Sequence, residues 1–424
     1  MSRRWLIYAL VAVLAAAAVA IGIVTSRAQG STATLPSITP AQLLAKVAAA
    51  PQTTKAVSGD VAWSNGLIPG SDLSNLFSGG GAAPTSLTSL LMGGSGRLWI
   101  SQGGGLRLQS QGGGADFVLV SGKNGVWSYS SASGTATQYA PPAGAGGRRA
   151  GASPSPRPTP GDPLAAISGA LRRFAATGTV AVSGQTTVAG RQSYILTVTP
   201  TSTVTTFGSL QVAVDGKTFV PLRVQVFAKG DTTPTLSAGF TRVSYRSIAG
   251  DLFSFTPPAG ATVQHTALPS LRGLSGGAQS QTKPATHAAS LTLTQARAKA
   301  AGYGLVLAAP RQGSSPASLA FDGATVAPPA RGHGATAILR YGTGFGSVAL
   351  VETQVSAGAP ANLQQSLAKL PRGLIATTTV AGSPGYELST GLFNVIAWQH
   401  GKLTVVAAGM VPQATLQAFA ATVG

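Results

Sequence analysis

Side chains able to do covalent or acid–base chemistry are few in this 424-residue chain. It has no cysteine, which removes disulfides, thiolate catalysis, Cys-ligated metals and a lipid-modified cysteine together. Gly273-Leu274-Ser275-Gly276-Gly277 spells G-x-S-x-G, but a nucleophile elbow needs a strand before it and a helix after it. This one lies in a Gly/Ser/Gln-rich stretch. Ser366-Leu367-Ala368-Lys369 spells S-x-x-K, with no S-D-N or K-T-G partner. His265 and His287 fall in or beside the same stretch, His333 in a Gly-rich loop and His400 in a hairpin turn. None has a second ligand at metal spacing. Glu352 and Glu387, the only glutamates, sit in separate strand patterns and read as ordinary strand residues. Gly342-Thr343-Gly344-Phe345-Gly346 resembles a phosphate loop, yet it joins two strand patterns with no helix terminus to face an anion, so it reads as a hairpin turn. The residues therefore predict no catalytic centre, no metal site and no cofactor.

Composition narrows the setting. Hydrophobic residues make up 44% and charged residues only 9%, against roughly a quarter in a typical soluble domain. Gly, Pro, Ala and Arg bias the chain toward a high-GC bacterial flavour. The net charge of +19 comes from having just ten acids. It is spread along the chain with no polybasic run, and no Arg/Lys cluster is interleaved with aromatics, so nucleic acid is not an expected partner. Loose attraction to anionic lipid headgroups and a merely solvated basic surface both fit.

Arg3 and Arg4 precede an unbroken apolar run, Trp5 to Val24. At about 1.5 Å per residue, ~20 residues cross a ~30 Å hydrocarbon core, longer than the ~7–15 apolar residues of a signal peptide. The length favours a transmembrane signal anchor with a cytoplasmic N-terminus and the bulk outside. Ser26-Arg27-Ala28 leaves a second outcome open, cleavage near Ala28 and release into the cell envelope.

Beyond residue 30 the pattern is strand-rich. Thr39-Pro40 opens a helix in which Leu43, Leu44 and Val47 share a face. Short apolar runs near 57–63, 96–100, 106–108, 116–120 and 125–129 are separated by Gly/Asn turns, predicting an antiparallel meander. Residues 141–163 are Pro/Gly-rich and read as a disordered insertion. A helix at Leu164–Ala176 leads into strands near 194–198, 211–214, 221–227 and 235–245, with Leu222, Val224 and Val226 on one face. Residues 265–289 read as a linker, and 290–424 as a smaller α+β unit with a helix at each end.

Three stretches carry a resemblance: Gly96-Arg97-Leu98-Trp99, Gly122 to Tyr129, and Val214-Asp215-Gly216-Lys217-Thr218-Phe219-Val220-Pro221-Leu222-Arg223-Val224. With the Phe253–Pro258 ending, they make residues 36–264 resemble the LolA/RseB-like family of periplasmic lipoprotein carriers and sigma-factor regulators. The last unit, through Leu293–Tyr303, Gly382–Tyr386 and Val395–Gly401, looks like a small domain of unknown function from bacterial membrane-associated proteins. The two likenesses cover most of the chain beyond the anchor. The resemblance implies an α+β chain: a curved antiparallel half-barrel plugged by helices, then the smaller domain. It further implies a non-enzymatic envelope protein holding a lipid, acyl chain or lipoprotein. The alternative it offers is an RseB-like regulator that binds a membrane anti-sigma factor or another envelope partner. Trp99, Leu108, Val118, Val120, Trp127, Tyr129, Val212, Val214, Leu222, Val224 and Val226 are the expected lining of the hollow. Periodicity alone leaves open whether they line a cavity or fill a closed core. An anchor and a Pro-rich insertion depart from the soluble carriers.

Overall fold

The computed structural model describes residues 35–67, 93–112, 115–122, 124–140, 163–267, 290–310, 313–329, 334–354 and 375–424. The apolar run Trp5–Val24, the insertion 141–162, Ser275, His287, His333 and the Ser366–Lys369 motif lie outside them. Among the described residues no helix is long and apolar enough to cross a membrane.

The first unit is a large curved sheet of twelve strands, and the molecule as a whole is mostly β with few helices, more so than an α+β reading anticipates. Strands β1 (Ala56–Asn65), β2 (Gly94–Ser101), β3 (Gly105–Gly112), β4 (Ala115–Gly122), β5 (Gly125–Ser130) and β6 (Thr135–Ala140) form one sequential meander. A second meander comprises β7 (Gly178–Val188), β8 (Arg191–Pro200), β9 (Phe207–Asp215), β10 (Pro221–Ala228) and β11 (Leu236–Phe240). The two join where β1 pairs with β11, Val61 opposite Phe240 and Trp63 opposite Ala238. β12 (Thr262–Ala267) closes the far edge parallel to β6, which carries the sheet three residues past the expected boundary at 264.

Two helices cover one face. α1 (Pro40–Thr53) starts as the sequence requires: Thr39 Oγ1 accepts from Gln42 N, the Gln42 side chain accepts from Thr39 N, and Pro40 holds the first position. α2 (Pro163–Ala175) packs beside it, tied by Ser168 Oγ donating to Val47 O at 3.0 Å. Beneath them Leu43, Val47 and Leu171 bury against Leu196, Leu210, Val212, Val214, Val226 and Leu236. Ala50 and Leu164 bury against Val57, Ile100, Leu222, Ala238 and Phe240. Burying each such side chain contributes roughly 1.5–3 kcal/mol, which holds the helices to the sheet with few polar contacts.

On the opposite, outer face a strap crosses the first meander. The 3-10 turn Gly250–Phe253 sets Phe253 over β3 and β4, where a Cβ on Gly105 or Gly122 would overlap it. Arg107 Nη1 donates to Leu252 O, and Phe255 tilts against Trp127 and Tyr129 at centroid distances of 5.6 and 6.2 Å. The strap explains Gly122, the first residue of the Gly122–Tyr129 motif, and the Phe253–Pro258 ending.

The second unit is a seven-stranded antiparallel sheet: β13 (Phe321–Ala327), β14 (Thr336–Tyr341), β15 (Val348–Gln354), β16 (Ala376–Val380), β17 (Ser383–Ser389), β18 (Asn394–His400) and β19 (Leu403–Gly409). Its strand order is β13-β14-β15-β19-β18-β17-β16. α3 (Leu293–Ala301), capped by Thr292, and α4 (Gln413–Ala420) bury Ala296, Ala300, Leu416 and Phe419 on one face. The Gly342–Gly346 segment is a turn between β14 and β15, as its flanking strands require. Its Phe345 stacks on Phe207 at 4.2 Å and tilts on Phe174 at 5.3 Å, docking the second unit on the first. Thr206 donates from N to Met410 O and from Oγ1 to Leu392 O, and the buried Thr205 hydroxyl lies 3.0 Å from Phe345 O and 2.8 Å from Met410 O.

Candidate functional site

Directly opposed residues in an antiparallel ladder point to the same face, so the register sorts the eleven expected lining residues. Trp99 faces Arg107, Arg107 faces Val120, and Val120 faces Trp127. Val118 faces Tyr129. These five, Trp99, Val118, Val120, Trp127 and Tyr129, lie on the outer face with the strap, not on the helix side. Trp99 is half-buried with the Arg97 guanidinium 5.4 Å over its ring, and Val118 and Val120 are buried. Leu108, Val212, Val214, Leu222, Val224 and Val226 belong to the clusters packed under the helices. A single lining made of all eleven is therefore not what the register produces. Val212, Val214 and Leu222 are at most 2% exposed, so beneath the helices they fill closed core.

The helix side holds another set, of which sequence reasoning named only Leu108. Leu98 faces Leu108, and Leu108 faces Leu119, in one row across β2, β3 and β4. Leu106 in the next row faces Ser121, which faces Val126. Leu98, Leu106, Leu108, Leu119 and Val126 are each half-buried, as is Ile167 of α2, which packs with Leu98 and Leu108 at the margin of the core. The strip thus begins at the edge of the helix-covered core and runs away from it along the first meander. Polar groups border it: Ser128 Oγ and Tyr139 OH lie 3.1 Å apart, both buried, and Ser110 Oγ donates to Ser95 O. Both faces of Arg97-Leu98-Trp99-Ile100 carry large apolar side chains, so alternation gave no signal for choosing Leu98 over Trp99.

The titratable groups sort into two buried sites. Asp215, at the β9–β10 turn, is 1% exposed. Burial alone would raise its pKa. The Arg191 guanidinium (2.7 and 3.1 Å), the Lys217 and Thr218 amides and the Tyr245 hydroxyl outweigh that and hold it below the ordinary carboxylate range. Every lone pair has a use in the turn, and the network is structural. Glu352, read as an ordinary strand residue, is fully buried on the helix face of the second sheet. Burial pushes its pKa up to about 7, while the Ala308 N–H at 2.7 Å and Arg297 pull the other way. Its Oε1 and the nearby Tyr341 hydroxyl have no hydrogen-bond partner among the described residues. Glu387 lies three strands away on β17 and accepts from Gln413 and Gln417, so the two glutamates form no pair. His265 is an exposed residue of edge strand β12, and His400 ends β18 at its turn. Among the described residues no three His, Cys, Asp or Glu side chains gather as a metal site.

Neither a family model nor a curated protein matches the sequence. Similar solved structures include MucB, a DUF1329 family protein and LolA-superfamily proteins, in line with the resemblance read from the motifs. A LolA superfamily protein from Nitrosomonas europaea has 10% identity and a TM-score of 0.21, covering 52% of this chain and 99% of its own. MucB in complex with periplasmic MucA has 14% identity and a TM-score of 0.41, covering 91% of this chain and 98% of its own. The Pseudomonas aeruginosa MucA/MucB complex gives 14% and 0.41, with 90% and 96% covered. Likeness of this degree carries no activity across.

Proposed function

We propose that this chain is a non-enzymatic binding protein of the bacterial envelope that holds an acyl chain, of a lipid or a lipoprotein, along the apolar strip of its first sheet. What supports the reading is the Leu98–Leu108–Leu119 row. Three leucines on adjacent strands stand half-buried beside a packed core and form a track about 10 Å long at ~4.8 Å per strand. An alkyl chain laid on it gains about 0.8 kcal/mol for each methylene taken from water. Leu119→Gln or Leu108→Gln should weaken binding of a fluorescent fatty acid about tenfold, since each removes roughly one side chain's apolar contact. Gln109→Ala, on the outer face, should leave it unchanged. Native mass spectrometry of the purified protein is the companion measurement; an empty protein with no affinity for acyl ligands would overturn the proposal.

One feature favours the alternative, a regulator that binds an envelope partner. β7 is an eleven-residue edge strand whose outer side pairs with no other strand among the described residues, the geometry by which an extended peptide adds as a further strand. Capture of a membrane partner that is released by added lipid would support this reading over the first.

A further inference from the structure

The first described residue of the chain lies beside a turn flanked by three basic residues without a carboxylate partner among the described residues. Leu35 N donates to Gln185 Oε1 at 2.8 Å, and Gln185 Nε2 donates back to Leu35 O at 2.9 Å. Tyr194 OH donates to Pro36 O, and the Leu35 side chain lies so close over Gly216 that a Cβ there would overlap it. The entry point is therefore fixed against the β9–β10 turn. Ten residues separate Leu35 from Val24, the end of the apolar run. Fully extended they reach roughly 35 Å.

Around that turn stand Lys46, Lys217 and Arg246, all exposed. Lys217 follows Asp215 and Gly216 in the turn itself. Lys46 sits 4.5 Å over the ring of Phe219, whose N–H donates to Asp215 O. Arg246 follows Tyr245, whose hydroxyl donates to Asp215. None of the three has a carboxylate at ion-pair distance among the described residues. Of the acids on and around these elements, Asp215, 1% exposed, is engaged by Arg191 and Asp60 by Arg242 and Arg97, while Asp251, exposed beyond Arg246, makes no ion pair with the three cations among the described residues.

We propose that this pole, Lys46, Lys217 and Arg246 around the β9–β10 turn, docks on an anionic phospholipid surface, that of a bilayer holding the apolar run Trp5–Val24. Charge complementarity selects the occupant, and the fixed position of Leu35 points the pole toward it. Each cation near a negatively charged bilayer strengthens partition roughly fivefold, with an effect that fades beyond a Debye length. The inference is independent of what the apolar strip holds.

The chain lacks cysteine, so a single introduced thiol reports one position. In the full-length protein, Ser247→Cys lies at this pole, and Thr232→Cys lies in the turn at the other end of β10; both sites are exposed. Each variant, carrying a fluorophore, is mixed with phosphatidylglycerol/phosphatidylcholine vesicles containing a headgroup-spin-labelled lipid. The position-247 probe should be quenched and the position-232 probe should not. Quenching should fall sharply in pure phosphatidylcholine or at high salt, and the combined Lys46→Gln, Lys217→Gln, Arg246→Gln variant should lose about a hundredfold in lipid affinity. Equal quenching at both positions overturns the proposal, as does quenching indifferent to phosphatidylglycerol. The lipid and salt dependence is read on the wild-type pole, so the proposal stands or falls even if the triple variant misfolds.

Discussion

Glu352 stands in the ladder between Ala337 and Val405 with its carboxyl sealed from water, so protonation decides how costly its burial is. In the unfolded chain it ionises near pH 4.5, and in the fold near 7. A folded pKa above the unfolded one gives stability that is complete below pH 4.5 and lost as pH rises through about 7. At roughly 1.4 kcal/mol per pH unit, about 3 kcal/mol is at stake. Glu352→Gln should therefore raise the melting temperature at pH 8 and change it little at pH 4.5; an equal effect at both would show that the carboxyl is not sealed. Asp215 has the opposite sign. Its lowered pKa gives stability present above the ordinary aspartate range and lost as pH falls through its folded value, so acid should loosen the first unit through this turn. Neither behaviour was visible in the sequence. Asp-Gly announced a turn, but Arg191 and Tyr245, which complete the site, lie 24 and 30 residues away.

At the scale of elements, the strap depends on two missing methyl groups. Gly122→Ala would push a Cβ into the Phe253 carbonyl, which is backbone and cannot swing aside. Overpacking of this kind costs about 1–3 kcal/mol, and protease cleavage near residues 250–258 should accelerate with it. Gly169→Ala is the matched control: its Cβ meets nothing closer than the Arg173 guanidinium, and helix propensity predicts a gain of about 1 kcal/mol. If both variants lose stability alike, the clash is not the cause. α1 was readable from its Thr39-Pro40 start and the central strands from their apolar runs. β7 and β12, the two edges of the first sheet, escaped. An edge strand needs little apolar alternation, and β12 (TVQHTA) has almost none. β6 (TATQYA) is nearly as polar.

For the whole molecule, Phe345 couples the two sheets. The turn was readable from its flanking strand patterns, but nothing in it hinted that its aromatic ring reaches Phe174 and Phe207 in another unit. Two ring contacts, at about 0.5–1.5 kcal/mol each beyond their burial, suggest that Phe345→Ala loosens the junction by about 1–3 kcal/mol. Calorimetry should then resolve one merged unfolding transition of the wild type into two. A single transition in both proteins would mean that the Thr205 and Thr206 hydrogen bonds suffice.

The β1–β11 pairing has a consequence for how such a chain is made. Each meander joins neighbours in sequence and can form from local contacts as it emerges, but the seam between them couples Val61 to Phe240. A chain synthesised from its N-terminus presents the first meander long before its partner strand arrives. Until then β1 waits with an open edge, and the long-range closure sets the pace of folding. Folding of this protein is therefore a race between zipping that seam and aggregation of a half-finished sheet.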